Sequence, residues 1–159
     1  MSQKSLSKWM KVILFMFGIC GIVLFGVVVP VVGLDFKNTY PEFAYAFVPW
    51  LVFILVTAVP CYAVLVLGWK IASSIAHDDS FSNENAKRLK NVSVLALVTS
   101  VYYFAGNVVF LLLNMNHPGI LVASLFITFV GIAISAASAI LSYLVKKAAK
   151  LQEQSDLTI

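Results

Sequence analysis

Charge is what this sequence lacks. Only 11% of its 159 residues are Asp, Glu, Lys or Arg. Four stretches, residues 12–32, 49–69, 92–113 and 120–145, contain none of these and no His. That absence argues against ion-coupled transport and proton relays, which place ionisable groups inside the membrane. Cysteine is also scarce, with two residues, and so is histidine, with two. No zinc-ligand spacing, nucleophile elbow, Gly-rich phosphate loop or paired intramembrane carboxylates occur. Nothing therefore points to catalysis, a cofactor or a metal. His77 and His117 fall in connections on opposite sides of the membrane, so one protomer cannot bring both to one ion.

What fills the space is apolar. Hydrophobic residues make up 61% of the chain and mean hydropathy is +0.95. A run of ~20 apolar residues at 1.5 Å per residue crosses a hydrocarbon core of ~30 Å. The expected architecture is an all-α membrane protein, a single four-transmembrane-helix bundle spanning residues 1–159. No room is left for a separate soluble domain. The first stretch is expected to remain as a span, because its apolar run exceeds the h-region of a secretory leader and no A-x-A site follows it.

Lysine and arginine set the orientation. Ten of the eleven lie in the N-terminal arm, the middle connection 70–91 and the tail 146–159; only Lys37 lies elsewhere. Both termini are therefore expected in the cytoplasm and the chain in a plasma membrane. This distribution accounts for the formal net charge of +4 without direct nucleic-acid binding. The basic residues would face anionic headgroups.

Span edges carry interfacial aromatics: Trp9 and Trp69 at the cytoplasmic ends, Phe36, Tyr40, Tyr45 and Trp50 at the outer ends. Lys87 belongs to the same headgroup layer. Pro49 suits the first turn of the second helix. Pro30 and Pro60 should interrupt their helices, with Thr57 placed to satisfy the carbonyl that Pro60 frees. Cys20 and Cys61 sit at a similar depth, roughly 12 Å in, and could be neighbours as buried thiols. Small residues in the first span (Gly18, Gly21, Gly26) and the fourth (Gly131, Ser135, Ser138, Ala139, Ser142) allow close approach of helices, within one chain or in a homo-oligomer. Asn107 is the strongest polar group in a span. It would bond across to the fourth span or, with Tyr103 one turn earlier, hold a small ligand.

The middle connection contains a helix start. Ser82 is a good N-cap, Glu84 sits in the first turn, and Phe81 could staple onto Ala86. The basic turn at Lys87, Arg88 and Lys90 serves either as a lipid anchor or as a docking site. The tail 146–159 continues the fourth span in a basic turn and ends on Leu157 and Ile159, as a disordered terminus or as a plug for a groove.

Two segments resemble a known pattern. One is Phe81-Ser82-Asn83-Glu84-Asn85-Ala86-Lys87-Arg88-Leu89-Lys90; the other is Leu151-Gln152-Glu153-Gln154-Ser155-Asp156-Leu157-Thr158-Ile159. Together they are similar to an uncharacterised family of small bacterial four-span membrane proteins, a domain-of-unknown-function family. Its members commonly show Phe-x-x-Glu-Asn-x-x-Arg-Leu-Lys before the third span and a Leu-x-Glu-x-x-Asp-Leu-Thr ending. The usual proline before the Phe is replaced here by Ser80, and the usual glycine after the Arg-Leu-Lys by Ser93. Genes of the family often lie beside one for a small Cro/CI-type helix-turn-helix regulator. The resemblance therefore implies a membrane partner that restrains or senses for such a regulator. The residues implied in contact are Phe81, Glu84, Asn85, Arg88, Leu89, Lys90, Leu151, Glu153, Asp156 and Leu157. A small transport-associated or toxin-immunity protein, using Asn107 or the aromatic outer connection, is the rival reading, and a structural subunit of a larger complex the third.

Overall fold

The computed structural model describes residues 2–77 and 79–156, with Asp156 described by its backbone alone. The described residues are all helical or in short connections, with no strand. The elements are α1 (Gln3–Val23), a π-helical turn (Leu24–Val28), α2 (Val29–Thr39), a 3₁₀ segment (Pro41–Ala46), α3 (Phe47–Ala76), α4 (Asn83–Leu112) and α5 (Pro118–Asp156). The expected four-span, all-α membrane domain is present. Four helical stretches, Gln3–Thr39, Pro41–Ala76, Asn83–Leu112 and Pro118–Ser155, are long and apolar enough to cross a membrane.

The helices outrun the apolar stretches that announced them. α3 continues through Lys70 to Ala76 and α4 begins at Asn83, so the middle connection shrinks to residues 77–82. A helix pairs its own backbone polar groups, so continuing it into the headgroup layer costs little. Ser82 caps α4 as expected, its Oγ accepting from the Asn85 N–H at 3.3 Å. The 3₁₀ segment and α2 likewise make the connection 33–48 mostly helical.

The prolines behave differently from each other. A π turn ends just before Pro30, with the Val29 N–H reaching the Leu24 carbonyl five residues back. This widening comes where the proline offers no N–H to the carbonyl of Gly26. At Pro60, α3 runs on without interruption in its assignment. Thr57 does not rescue the freed Val56 carbonyl; its hydroxyl donates to Ile54 O at 2.6 Å. A threonine hydroxyl reaches back three or four residues along its helix, and its immediate neighbour is out of range.

Packing follows chain order. The first span lies on the second, the second on the third and the third on the fourth, with the third–fourth interface by far the largest. The first span buries no residue of its most apolar window, so lipid is its main solvent. It is tied to α3 at two depths. Ser7 Oγ donates to Ala72 O at 2.5 Å, and Tyr62 Oη donates to Gly18 O at 3.0 Å. Gly21 makes room for the latter ring: a Cβ there would sit 2.8 Å from Tyr62 Oη. Cys20 and Cys61 are free and exposed, turned away from the helix contacts rather than buried between them. Between α3 and α4, Phe53 lies in a notch at Gly106, stacks on Tyr103 at 5.9 Å and receives the Tyr102 hydroxyl on its carbonyl at 3.2 Å.

The α4–α5 hairpin is built on small polar residues. Buried positions on α4 recur every seventh residue: Ala86, Ser93, Ser100 and Asn107. The facing positions on α5 alternate in steps of four and three through Ser124, Thr128, Gly131, Ser135, Ser138, Ser142, Val145 and Ala149, all buried or half-buried. This 3.5-residue period is that of a left-handed coiled-coil seam. Lipid tails are as apolar as leucine, so burying leucine there would bring no hydrophobic gain, and close backbone approach with hydroxyl bridging takes its place. Ser93 Oγ and Ser135 Oγ lie 3.1 Å apart, Ser135 Oγ donates to Ser93 O at 2.8 Å, and Ser142 Oγ donates to Ala86 O at 2.6 Å. Thus Ala86 is buried against α5 and not under Phe81, whose ring is 56% exposed.

One hydroxyl in this seam is unserved: buried Thr128 Oγ1 has no hydrogen-bond partner among the described residues. Thr128→Val keeps the shape and removes an unsatisfied polar atom, a change that is neutral or stabilising by about 1 kcal/mol. Thermal unfolding of the detergent-solubilised protein should show an unchanged or higher midpoint.

Candidate functional site

The strongest concentration of polar contacts lies at the end of the domain that carries both termini. Asn85, in the first turn of α4, is 1% exposed. Its Nδ2 donates to Asp79 O at 2.9 Å and Ser80 O at 3.2 Å, closing the connection back onto the helix. Its Oδ1 accepts from Arg88 Nη1 at 2.8 Å. The same guanidinium donates to Ser74 Oγ at 2.8 Å and to Lys70 O at 3.3 Å on α3, and pairs with Glu84 at 2.6 Å. Arg88 therefore joins the last turns of α3 to the first turns of α4, and Asn85 fixes the backbone between them. His77 completes the turn: Nδ1 lies 2.8 Å from Ser73 O, and its backbone N–H donates to Ser74 O at 3.0 Å. Ser80 Oγ reaches Gln3 Oε1 at 3.3 Å, tying in the N-terminal arm.

The residues singled out by the sequence divide accordingly. Glu84, Asn85 and Arg88 come together as one brace. Leu89 is half-buried, and Phe81, Lys87 and Lys90 are exposed. On α5, Lys146, Lys147, Lys150, Leu151 and Glu153 are exposed, and the helix continues to Asp156. Leu157, and the side chain of Asp156, lie outside the described residues. At the membrane edge, Trp9 is 61% exposed, and Lys11 Nζ lies 5.5 Å above the Trp69 ring. Ser74 belongs to the brace but was not singled out; its only local signal is a hydroxyl one turn from a helix end.

Asn107 marks a second cluster at the far end, opposite the termini. It does not reach the fourth span. Its Nδ2 donates to Tyr103 O at 2.9 Å, and its Oδ1 accepts from Asn116 Nδ2 at 3.0 Å. Asn116, in the turn before α5, is 7% exposed and takes the His117 N–H on its own Oδ1 at 2.8 Å. The seam here closes on the turn, whose Asn116 amide folds back onto Asn107. Tyr45 Oη donates to Asn114 O at 2.8 Å, which ties the connection 33–48 to the same turn. Asn114 has φ 55°, the left-handed conformation that asparagine tolerates. Between these two connections lies a cavity of about 270 Å³, walled by Phe36, Phe43, Phe47 and Trp50, with Lys37 and His117 on its lining. Tyr40 stands beside it, its ring 4.7 Å from Phe36.

Among the described residues no three His, Cys, Asp or Glu side chains gather to hold a metal ion. The polar groups at the terminal end are spent on one another, so what that end presents outward is a shaped surface: an aromatic ring, exposed lysines and a projecting helix.

Comparison with known proteins agrees with this picture of a multi-pass membrane protein and with the expected plasma-membrane location. The chain is 34% identical over 155 residues to the uncharacterized membrane protein YoaS of Bacillus subtilis (strain 168), covering 95% of this chain and 96% of that one. No solved structure matches it. Residues 31–159, including the braced connection and α5, match the family described as protein of unknown function (DUF2975), and the chain belongs to that family.

Proposed function

We propose that this protein is a non-enzymatic membrane platform that holds a small cytoplasmic helix-turn-helix regulator at the bilayer and so restrains it from DNA. The observation that carries this reading is the brace. Asn85 is buried and holds the carbonyls of Asp79 and Ser80, and Arg88 bridges α4 to α3, so residues 79–82 are held against the start of α4. Phe81, 56% exposed, and Leu151, 58% exposed, project from this end with Lys87, Lys90 and Lys150. Aromatic and aliphatic anchors among charged neighbours are what a protein-binding surface uses. The lysine and arginine distribution supports placing this end in the cytoplasm. The family resemblance supplies the partner class.

The test is co-purification of the detergent-solubilised chain with a small Cro/CI-type helix-turn-helix regulator of the class that the resemblance implies. Phe81→Ala, or deletion of residues 152–159, should lower capture about tenfold, the loss of one interface anchor at ~1.4 kcal/mol, and raise transcription of the regulator's targets. Full capture and unchanged transcription in both variants would refute the reading.

A further inference from the structure

The cavity at the far end has a composition that selects a ligand. Its walls are aromatic and aliphatic, and its three polar side chains with unspent capacity are all donors. Lys37 is in no ion pair among the described residues, and its Nζ sits 5.6 Å from the centre of the Phe47 ring. Trp50 lines the wall, and its indole N–H has no hydrogen-bond partner among the described residues. His117 Nδ1 accepts the Gly119 N–H at 3.0 Å, which leaves the ring proton on Nε2 as a third donor. That bond spends the acceptor nitrogen of His117, and Asn116, also on the lining, is buried and already bonded through both its oxygen and its nitrogen. An apolar cavity with donors and no free acceptor fits an apolar tail that ends in an anionic head.

We infer that this cavity binds a single-chain anionic amphiphile of the fatty-acid class, with its chain end between the aromatic rings and its carboxylate on Lys37. Position agrees with chemistry, because the cavity lies beside interfacial aromatics at the end of two membrane spans, where such a ligand is delivered by the bilayer itself. Size agrees as well. A volume of about 270 Å³ holds roughly nine water-sized groups at ~30 Å³ each, one chain segment and no more. The walls are preformed, since the Tyr45–Asn114 and Asn107–Asn116 hydrogen bonds fix the two connections that make them. This site lies at the end opposite the docking surface and does not depend on it.

The experiment uses the full chain with Trp9→Phe and Trp69→Phe, purified in maltoside detergent, so that Trp50 is the only indole. Titration with a chain-dibrominated fatty acid should quench Trp50 saturably. Lys37→Gln should raise the half-saturating concentration about fivefold, as expected for an exposed ion pair, and Ile120→Phe, which fills the cavity, should abolish saturation. The dibrominated methyl ester should bind more weakly than the acid. On the chain with its natural tryptophans, the acid and not the ester should raise the unfolding midpoint with saturation. Quenching that rises linearly with lipid content, equal binding of acid and ester, preference for a brominated quaternary amine or a diacyl lipid, or indifference to both Lys37→Gln and Ile120→Phe would each overturn the assignment.

Discussion

Gly131→Leu should lower the thermal unfolding midpoint of the solubilised protein by roughly 10 °C, through a loss of about 3 kcal/mol or more. Gly131 lies on the α5 side of the seam, opposite Ser100. A Cβ built there would overlap Ser100 Oγ and come within 3.2 Å of Ser100 Cβ. The serine cannot swing clear freely, because its hydroxyl donates to Ala96 O at 2.7 Å. The backbones would have to separate, and that separation would also stretch the Ser93–Ser135 and Ser142–Ala86 bridges along the same seam. Two comparisons make the prediction specific. Gly26→Leu adds side-chain atoms where a Cβ meets nothing within 4 Å, and should leave the midpoint within a few degrees. Gly131→Ala combined with Ser100→Gly should regain most of what Gly131→Ala loses alone, because the two side chains compete for one space. A midpoint for Gly131→Leu equal to that of Gly26→Leu would mean that the seam does not hold the hairpin together.

The seam also shows what a sequence of this kind reveals and conceals. The spans were legible because the bilayer imposes a rule that local composition must obey: no charge for twenty residues. The Ser82 cap and the Glu84 first-turn position were legible because capping is decided within four residues. Ser93, Ser100 and Asn107 stand seven apart on α4, and their partners on α5 step by four and three. That period was available in principle. Its α5 half was legible, since Gly131, Ser135, Ser138 and Ser142 were expected at close helix contacts; the matching α4 positions were not, because a heptad is ordinarily sought in large apolar residues and inside a membrane the contact positions are the small ones. Asn107 was recognised as the strongest intramembrane polar group, yet its partner was not. That partner, the Asn116 amide that donates to its Oδ1, sits in the turn before α5, and a seven-residue repeat within the helices does not encode the turn. Asn85 was placed in a contact surface by the family resemblance alone. Its burial follows from the way Asp79 and Ser80 fold back onto it, a tertiary fact with no local signature.

Asn85→Ala should therefore have the second large effect, and one of a different kind. Three hydrogen bonds end on this amide: two hold the carbonyls of Asp79 and Ser80, and one holds the Arg88 guanidinium. Alanine leaves the carbonyls unserved in a site where Asn85 is 1% exposed, and unsatisfied buried groups cost about 1–3 kcal/mol each. The loss falls on the first turns of α4, which open locally before the hairpin does. Trypsin should then cleave at Lys87, Arg88 and Lys90 at least tenfold faster than in the unaltered protein, since tenfold corresponds to only ~1.4 kcal/mol of easier opening. Phe81→Ala removes an exposed ring and touches no member of the brace, so its digestion should match the unaltered protein. On the docking reading both variants lose the regulator, Phe81→Ala by removing a contact and Asn85→Ala by releasing the shape that presents it. Capture lost in Phe81→Ala but retained in a trypsin-sensitive Asn85→Ala would separate the two roles: the ring would bind without the brace, and the Glu84–Asn85–Arg88 cluster would be a device for folding the connection alone.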